Sequence, residues 1–228
     1  MREVLKDSRV LAGWSGVVAT PLALFTLWVF VSVSGGDPSR LVDAAHVLAL
    51  PARAQALFAD GMLADTLGYY LLPLILGGYL AARVDRGVIA VPLLTVYATL
   101  GVTGALLQAA TLSPLSGLGG PAAAAAWTAV AHAAQKGLWW FEMLPFALFA
   151  LIVGPALVRA RAGFGWLLVT AGGLLLLYWI FTINRVATAV PALALAGEAA
   201  GFCALLVIAG WTFLSGAELL RQRTSFAS

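Results

Sequence analysis

Acidic and amide side chains inside long apolar stretches are the residues in this sequence best suited to chemistry. Glu142 lies in the apolar stretch 137–158, and the spacings from Gln135 to Trp139 and on to Glu142 place all three on one helical face. If Lys136 marks the membrane surface, Glu142 lies about 9 Å deeper. An ionisable group at such a depth costs at least about 2.5–3.5 kcal/mol and often serves a function. Glu142 is therefore the leading candidate for binding a ligand or a proton.

Other polar residues are predicted at a similar, outer depth on neighbouring helices. We expect them to form an outward-facing polar pocket with Trp139 and Glu142: Asp65, Tyr69, Gln108, Tyr178, Arg185 and Glu198. A purely structural role stays open for the same residues. Asp65 and Glu198 suit the first turns of their helices, where the helix dipole favours an acid, and Glu198 could pair with Arg185.

The composition places this pocket in a membrane protein. Hydrophobic residues make up 62% of the 228 residues and charged residues 10%, whereas soluble domains average about 25% charged residues. The net charge of +3 is small and scattered, so no nucleic-acid partner is predicted. The single cysteine, Cys203, excludes an intramolecular disulfide and a thiolate metal cluster, and two histidines are too few for the paired axial ligands of a multi-haem cytochrome. No catalytic motif, metal site or cofactor is predicted.

Six stretches have the length that a membrane-spanning helix needs, about 20 residues. They predict an all-α, polytopic transmembrane helical bundle in one domain, 1–228, with spans near 10–33, 63–82, 88–112, 137–158, 164–183 and 194–215. Asp37-Pro38 suits a helix start, and apolar residues then recur at helical spacing up to Pro51. This pattern predicts an external, interfacial amphipathic helix. The turn-forming residues of 113–121 predict a loop.

Lysines and arginines predict the orientation, because short cytoplasmic loops are enriched in them. Nine lie in the leader, the 83–86 and 159–161 loops and the tail, against four on the other side. Both termini are therefore predicted inside the cell, in the plasma or inner membrane. The abundance of alanine and leucine and the scarcity of lysine are typical of a bacterial protein.

Small residues predict how the helices pack, because helices associate closely in lipid where side chains are small. Gly197 and Gly201 form a GxxxG pattern, which we expect to support close packing or oligomerisation. A second stripe is predicted to face the bundle interior: Tyr97, Gly101, Gly104, Gln108 and Thr111. The strings 69–73 and 141–145 both end in proline and are faintly alike, as a duplicated helix pair would be.

Two segments of the chain resemble a bacterial multi-pass family, the domain-of-unknown-function family 4386. They are Ala56-Leu57-Phe58 through Leu63-Ala64-Asp65-Thr66-Leu67-Gly68, and residues 159–163 leading into 167–173. The resemblance implies a membrane protein of six or seven helices. It implies no activity, so no functional residue follows from it.

Three functions are compatible with this pattern. The first is binding or transport of a small amphiphile, a lipid headgroup or a cation through the outward pocket. The second is an accessory or assembly protein without a ligand, in which the polar residues serve packing or a membrane partner. The third is a lipid-modifying enzyme with Glu142 or Asp65 as acid and base. The sequence favours the first, narrowly.

Overall fold

The computed structural model describes residues 2–85, 87–160, 162–182 and 190–222, with only the backbone described for residues 2–6 and Pro38. All regular structure in these ranges is helical. Five helices are long and apolar enough to cross a membrane: Asp7–Ser34, Ala52–Ala81, Gly87–Leu118, Gly120–Arg159 and Pro191–Arg221. The prediction of an all-α fold is therefore confirmed, and the five long apolar helices are compatible with the predicted multi-pass membrane protein. The predicted fifth span is a shorter apolar helix, Gly165–Phe181.

The helices follow one another with short connections. In chain order they are α1 (Arg2–Ser34), a 3₁₀ turn (Pro38–Leu41), α2 (Ala44–Leu48), α3 (Ala52–Asp65), a π-helical turn (Thr66–Leu71), α4 (Leu72–Ala81), α5 (Gly87–Leu118), α6 (Gly120–His132), a second π-helical turn (Ala133–Leu138), α7 (Trp139–Arg159), α8 (Gly165–Phe181) and α9 (Pro191–Arg221). The two π-helical turns join α3 to α4 and α6 to α7, so each pair forms one long helix.

The predicted loop 113–121 is mostly helix, and this prediction was wrong. Helix α5 continues through Pro114 to Leu118, and α6 begins at Gly120. A proline removes one hydrogen bond from a helix but does not always end it. The chain turns instead at Gly119 and Gly120, whose φ angles of 63° and 74° suit glycine.

The predicted interfacial helix is divided into two short pieces. Asp37 starts the 3₁₀ turn, as predicted, with its side chain accepting a hydrogen bond from the Ser39 amide. Asp43 caps a second start in the same way, so α2 begins there as a separate helix. Val47 is fully buried and packs in one cluster with Phe58. These pieces therefore cover one end of the bundle instead of forming a single amphipathic helix.

The long helices form a closed ring. Helix α1 packs against α3 and α4, these against α5, α5 against α7, α7 against α8, α8 against α9, and α9 against α1. Aromatic side chains fill the interior, with ring centroids 4.7 Å apart for Tyr97 and Phe146 and 6.4 Å apart for Phe149 and Trp211. As predicted, Gln108 faces this interior and is fully buried.

The remaining predicted interior residues and the GxxxG pair also lie at helix contacts. Gly101 and Gly104 are buried with Gln108, and Thr111 is half-buried. A Cβ atom at Gly201 would lie 2.7 Å from the Tyr178 ring, and one at Gly197 2.9 Å from Phe181. The face of Gly197 and Gly201 therefore packs on α8 of the same chain, and oligomerisation through it stays a prediction.

Glycines allow close packing between the start of α1 and the end of α9. A Cβ atom at Gly216 would lie 2.5 Å from the Gly13 carbonyl oxygen, and one at Gly16 would overlap the Thr212 carbonyl. Beside them, the hydroxyl oxygens of Thr20 and Thr212 are 3.0 Å apart. The beginning of α1 and the end of α9 therefore lie at the same end of the bundle.

The helices that contain 69–73 and 141–145 run parallel and in register. Tyr70 contacts Glu142, 72 residues further along the chain, and Gly77 contacts Phe149 at the same separation. Two contacts with one separation along two helices require both helices to run in the same direction. Helix α5 therefore returns the chain from the end of α4 to the start of α6.

The glycine contact between α1 and α9 predicts the effect of adding a single methyl group. Gly216→Ala should lower the free energy of unfolding by about 1–3 kcal/mol, because the methyl group meets backbone atoms that cannot move aside. Gly210→Ala, in the same helix, meets no atom within 4 Å and should cause no loss. Thermal unfolding in detergent micelles measures both. Equal melting temperatures for the two variants would contradict the close contact.

Candidate functional site

A cavity of about 520 Å³ opens between α1 and α9 at the end of the bundle opposite the glycine contact. The two helices touch at Gly16 and Gly216 but lie apart where residues 27–34 of α1 face residues 198–205 of α9. Apolar side chains form most of the wall: Leu27, Phe30, Val31, Val42, Met143, Phe202 and Leu205. The cavity therefore suits the apolar part of a ligand.

Three of the predicted site residues line this cavity: Trp139, Tyr178 and Glu198. Four others lie behind its wall, where Gln108 and Glu142 are fully buried, Tyr69 is 2% exposed and Asp65 is 4% exposed. Arg185 lies outside the described residues. The structure thus places three of the predicted residues at an open cavity and four in the buried interior of the bundle.

Charged and polar groups lie on one side of the cavity. The Lys136 ammonium is 4.0 Å from the Glu198 carboxylate, and these side chains are 62% and 55% exposed. The second π-helical turn, Ala133–Leu138, carries Lys136 and also Gln135, whose amide donates to the Gln108 side chain at 2.9 Å. Such turns are frequent at functional sites. The cavity therefore has an apolar wall and a mouth that carries both signs of charge.

The segment that covers the cavity is fixed by a carboxylate of its own. Asp37 accepts hydrogen bonds from the Ser39 hydroxyl at 2.7 Å and from the Ser39 amide at 3.0 Å. The hydroxyl bond, more than any other contact, holds the pKa of Asp37 below its ordinary value. Ser39 itself lines the cavity, so this turn sets one of its edges.

The buried polar site is a tyrosine–carboxyl cluster, made of Asp65, Tyr69, Tyr70, Tyr97 and Glu142. The Tyr70 hydroxyl donates to Glu142 Oε1 at 2.7 Å, and the rings of Tyr70 and Tyr97 are 5.1 Å apart. Asp65 is close enough to interact electrostatically with Glu142 and with Tyr69. Glu142 Oε2 and Asp65 Oδ2 are buried and make no hydrogen bond within the described residues.

A proline explains why this cluster forms where it does. Pro73 has no N–H group, so it cannot donate to the carbonyl four residues earlier, which belongs to Tyr69. The Tyr97 hydroxyl from α5 donates to that carbonyl at 3.0 Å, in the buried interior. The π-helical turn Thr66–Leu71 lies just before Pro73 and turns both Tyr69 and Tyr70 into the bundle.

Sequence reasoning singled out Glu142 and Asp65 but not Tyr70, the direct partner of Glu142. The residue in the sequence that relates to this contact is Gly101. A Cβ atom there would overlap the Tyr70 ring, so the glycine leaves room for the tyrosine. Gly101 was predicted to face the interior, but a glycine does not reveal which side chain will fill the space beside it. The contact could therefore be found only in three dimensions.

Trp139 separates the cavity from the tyrosine–carboxyl cluster. Its indole N–H donates to the Gly101 carbonyl at 3.2 Å, and its ring packs against the backbone at Gly104. On its other side it lies 6.0 Å from the Phe30 ring, in the cavity wall. Trp140 and Trp179 stack on each other, with ring centroids 5.1 Å apart.

The role of the Tyr97 hydroxyl predicts a matched pair of variants. Tyr97→Phe leaves the buried Tyr69 carbonyl without this donor and should lower the free energy of unfolding by about 1–3 kcal/mol. Tyr79→Phe removes a hydroxyl that makes no hydrogen bond in the described part of the chain and should cost less than about 0.5 kcal/mol. Thermal unfolding in micelles compares them. Similar losses of unfolding free energy for both variants would show that the hydrogen bond from Tyr97 to the Tyr69 carbonyl does not stabilise the fold.

No protein-family model matches the chain, and searches of curated proteins and of solved structures found no match to it. The resemblance to the domain-of-unknown-function family 4386 stays a prediction. The features of this chain that bear on its function are therefore the cavity, its charged mouth and the buried cluster.

Proposed function

We propose that this chain is a six-span protein of the cell membrane that binds an amphiphile in the cavity between α1 and α9. In this proposal α8, at the position of the predicted fifth span, crosses the membrane in addition to the five long helices. Gly165 at its start packs against Val158, and Thr182 just after its end accepts a hydrogen bond from the Trp140 indole at 2.8 Å. Helix α8 thus runs beside α7 over the length that crosses the bundle, which supports a role as a span.

The orientation in this proposal places the cavity at the outer surface. The beginning of α1 and the end of α9 lie together, at the end of the bundle away from the cavity. Arg83 follows the end of α4, and Arg159 is the last residue of α7, at that same end. Because short cytoplasmic loops are enriched in arginine and lysine, this end is assigned to the cytoplasm.

The observation that carries the proposal is the division of the cavity into apolar walls and a charged mouth. An apolar chain would lie against Leu27, Phe30 and Leu205, while a headgroup would meet Lys136 and Glu198. A cation alone would gain nothing from the apolar wall, and an apolar molecule alone would gain nothing from the ion pair. A ligand with both parts, an amphiphile, fits best.

The positions of Val31 and Phe202 support entry from the lipid. Both line the cavity, one on α1 and one on α9, and they are 51% and 49% exposed. The cavity therefore opens sideways, between two membrane-spanning helices, as well as toward Lys136. A molecule already dissolved in the outer leaflet would enter through this gap without crossing water.

The proposal predicts that closing the gap prevents binding. Val31→Trp places a large ring in the cavity wall, whereas Val88→Trp adds the same ring at a site that is 88% exposed at the other end of the bundle. Native mass spectrometry with added phosphatidylethanolamine should show at least a tenfold weaker binding for Val31→Trp and no change for Val88→Trp. Equal binding by both variants and the wild type would contradict a ligand in this cavity.

A second variant tests the charged mouth. Replacing Lys136 and Glu198 together by alanine should reduce the preference for phosphatidylethanolamine over an uncharged diacylglycerol, because the ammonium and phosphate groups lose their partners. The same measurement with both lipids gives the ratio. An unchanged ratio would leave the ion pair without a role in recognition. Failure of every lipid to bind, with a protein partner retained on purification, would favour the accessory function.

A further inference from the structure

We propose that the tyrosine–carboxyl cluster is a proton-binding site in which Glu142 holds the proton. This inference goes beyond amphiphile binding, since it concerns a different set of atoms and needs no ligand in the cavity. The step itself is simple: a proton adds to the free oxygen of the Glu142 carboxylate and leaves a neutral carboxyl group. No other bond forms or breaks.

The position of the Glu142 carboxyl group is the first argument. The residue is 0% exposed, its Oε1 accepts from the Tyr70 hydroxyl at 2.7 Å, and its Oε2 makes no hydrogen bond in the described residues. One carboxylate oxygen thus accepts a strong hydrogen bond, and the other accepts none. A buried carboxylate oxygen without a hydrogen bond is costly in free energy unless its charge is neutralised.

The charges around Glu142 are the second argument. Among the described residues, the groups that interact electrostatically with Glu142 are Tyr70 beside α4, Tyr97 on α5, Tyr178 on α8 and Asp65 on α3. All of them are neutral or acidic. The ion pairs of the described ranges join Arg40 to Asp37, Lys136 to Glu198 and Arg221 to Glu218, so none of them includes Glu142.

A proton fits this site better than a metal ion does. A cation such as Na⁺ or Ca²⁺ needs several oxygen ligands directed at one point. The hydroxyl of Tyr97 is committed to the Tyr69 carbonyl, and that of Tyr69 points to the Leu205 carbonyl at 3.4 Å. The described residues hold no group of three or more His, Cys, Asp or Glu side chains that could bind a metal. One proton on Oε2 neutralises the group without further ligands.

The surrounding packing shows a built site. Gly101 leaves room for the Tyr70 ring, and the π-helical turn before Pro73 directs that ring to Glu142. The residue after Glu142, Met143, lines the open cavity. Helix α7 therefore carries Glu142 in the bundle interior and, at the next position, Met143 at the cavity wall.

Infrared spectroscopy of the purified protein tests the proposal directly. A protonated, buried carboxyl group gives a C=O stretching band that is separate from the carboxylate bands. The wild type should show this band, and its intensity should fall as the pH is raised. Glu142→Gln should lose the band, whereas Glu218→Gln, which changes an acid paired with Arg221 outside the cluster, should keep it.

Two further variants separate the alternatives. Tyr70→Phe keeps the carboxyl group but removes its donor, so the band should remain and move to higher frequency; this holds even if Glu142→Gln fails to fold. Asp65→Asn should leave the main band in place. A band that survives in Glu142→Gln, that disappears only in Asp65→Asn, or that responds to Na⁺ at constant pH would overturn the assignment of the proton to Glu142.

Discussion

Backbone hydrogen-bonding groups inside the hydrocarbon layer have no water available to them, so each must find its partner within the bundle. This requirement organises the centre of the molecule. Pro73 leaves the Tyr69 carbonyl without its helical donor, and the Tyr97 hydroxyl replaces that donor. The same arrangement brings Tyr70 to Glu142 across the interior. A hydrogen bond that is missing within one helix is thereby replaced by a donor from a second helix. The same contact brings polar side chains together in an apolar interior.

The size of side chains along α1 and α9 sets the shape of the cavity. At one end, Gly16 and Gly216 allow the two backbones to touch. At the other end, Phe30 and Phe202 occupy the corresponding positions and line the cavity between the helices. Close packing at small residues is a main source of helix association in lipid. The glycines therefore fix the pair firmly at one end and leave the other end to form a site.

The sequence predicts the helices well because apolar length is a local property. The interior position of Gln108 also follows from a local pattern, the spacing of small and polar residues along one helix. The end of α5 does not, since turn-forming residues at 113–118 were outweighed by helical hydrogen bonding. The cavity depends on the angle between α1 and α9, and the Tyr70–Glu142 bond on a separation of 72 residues. Neither can be read from spacing within one helix.

The closure of the ring by α1 and α9 has a consequence for biosynthesis. These are the first and last long helices of the described chain, so ribosomal synthesis delivers α1 long before its partner exists. Until α9 inserts, Thr20 lacks the bonds that it makes to Thr212 and to the Ala209 carbonyl. Insertion of α9 therefore joins the two helices and forms the cavity at the same moment, so a nascent chain that still lacks α9 has no cavity between them.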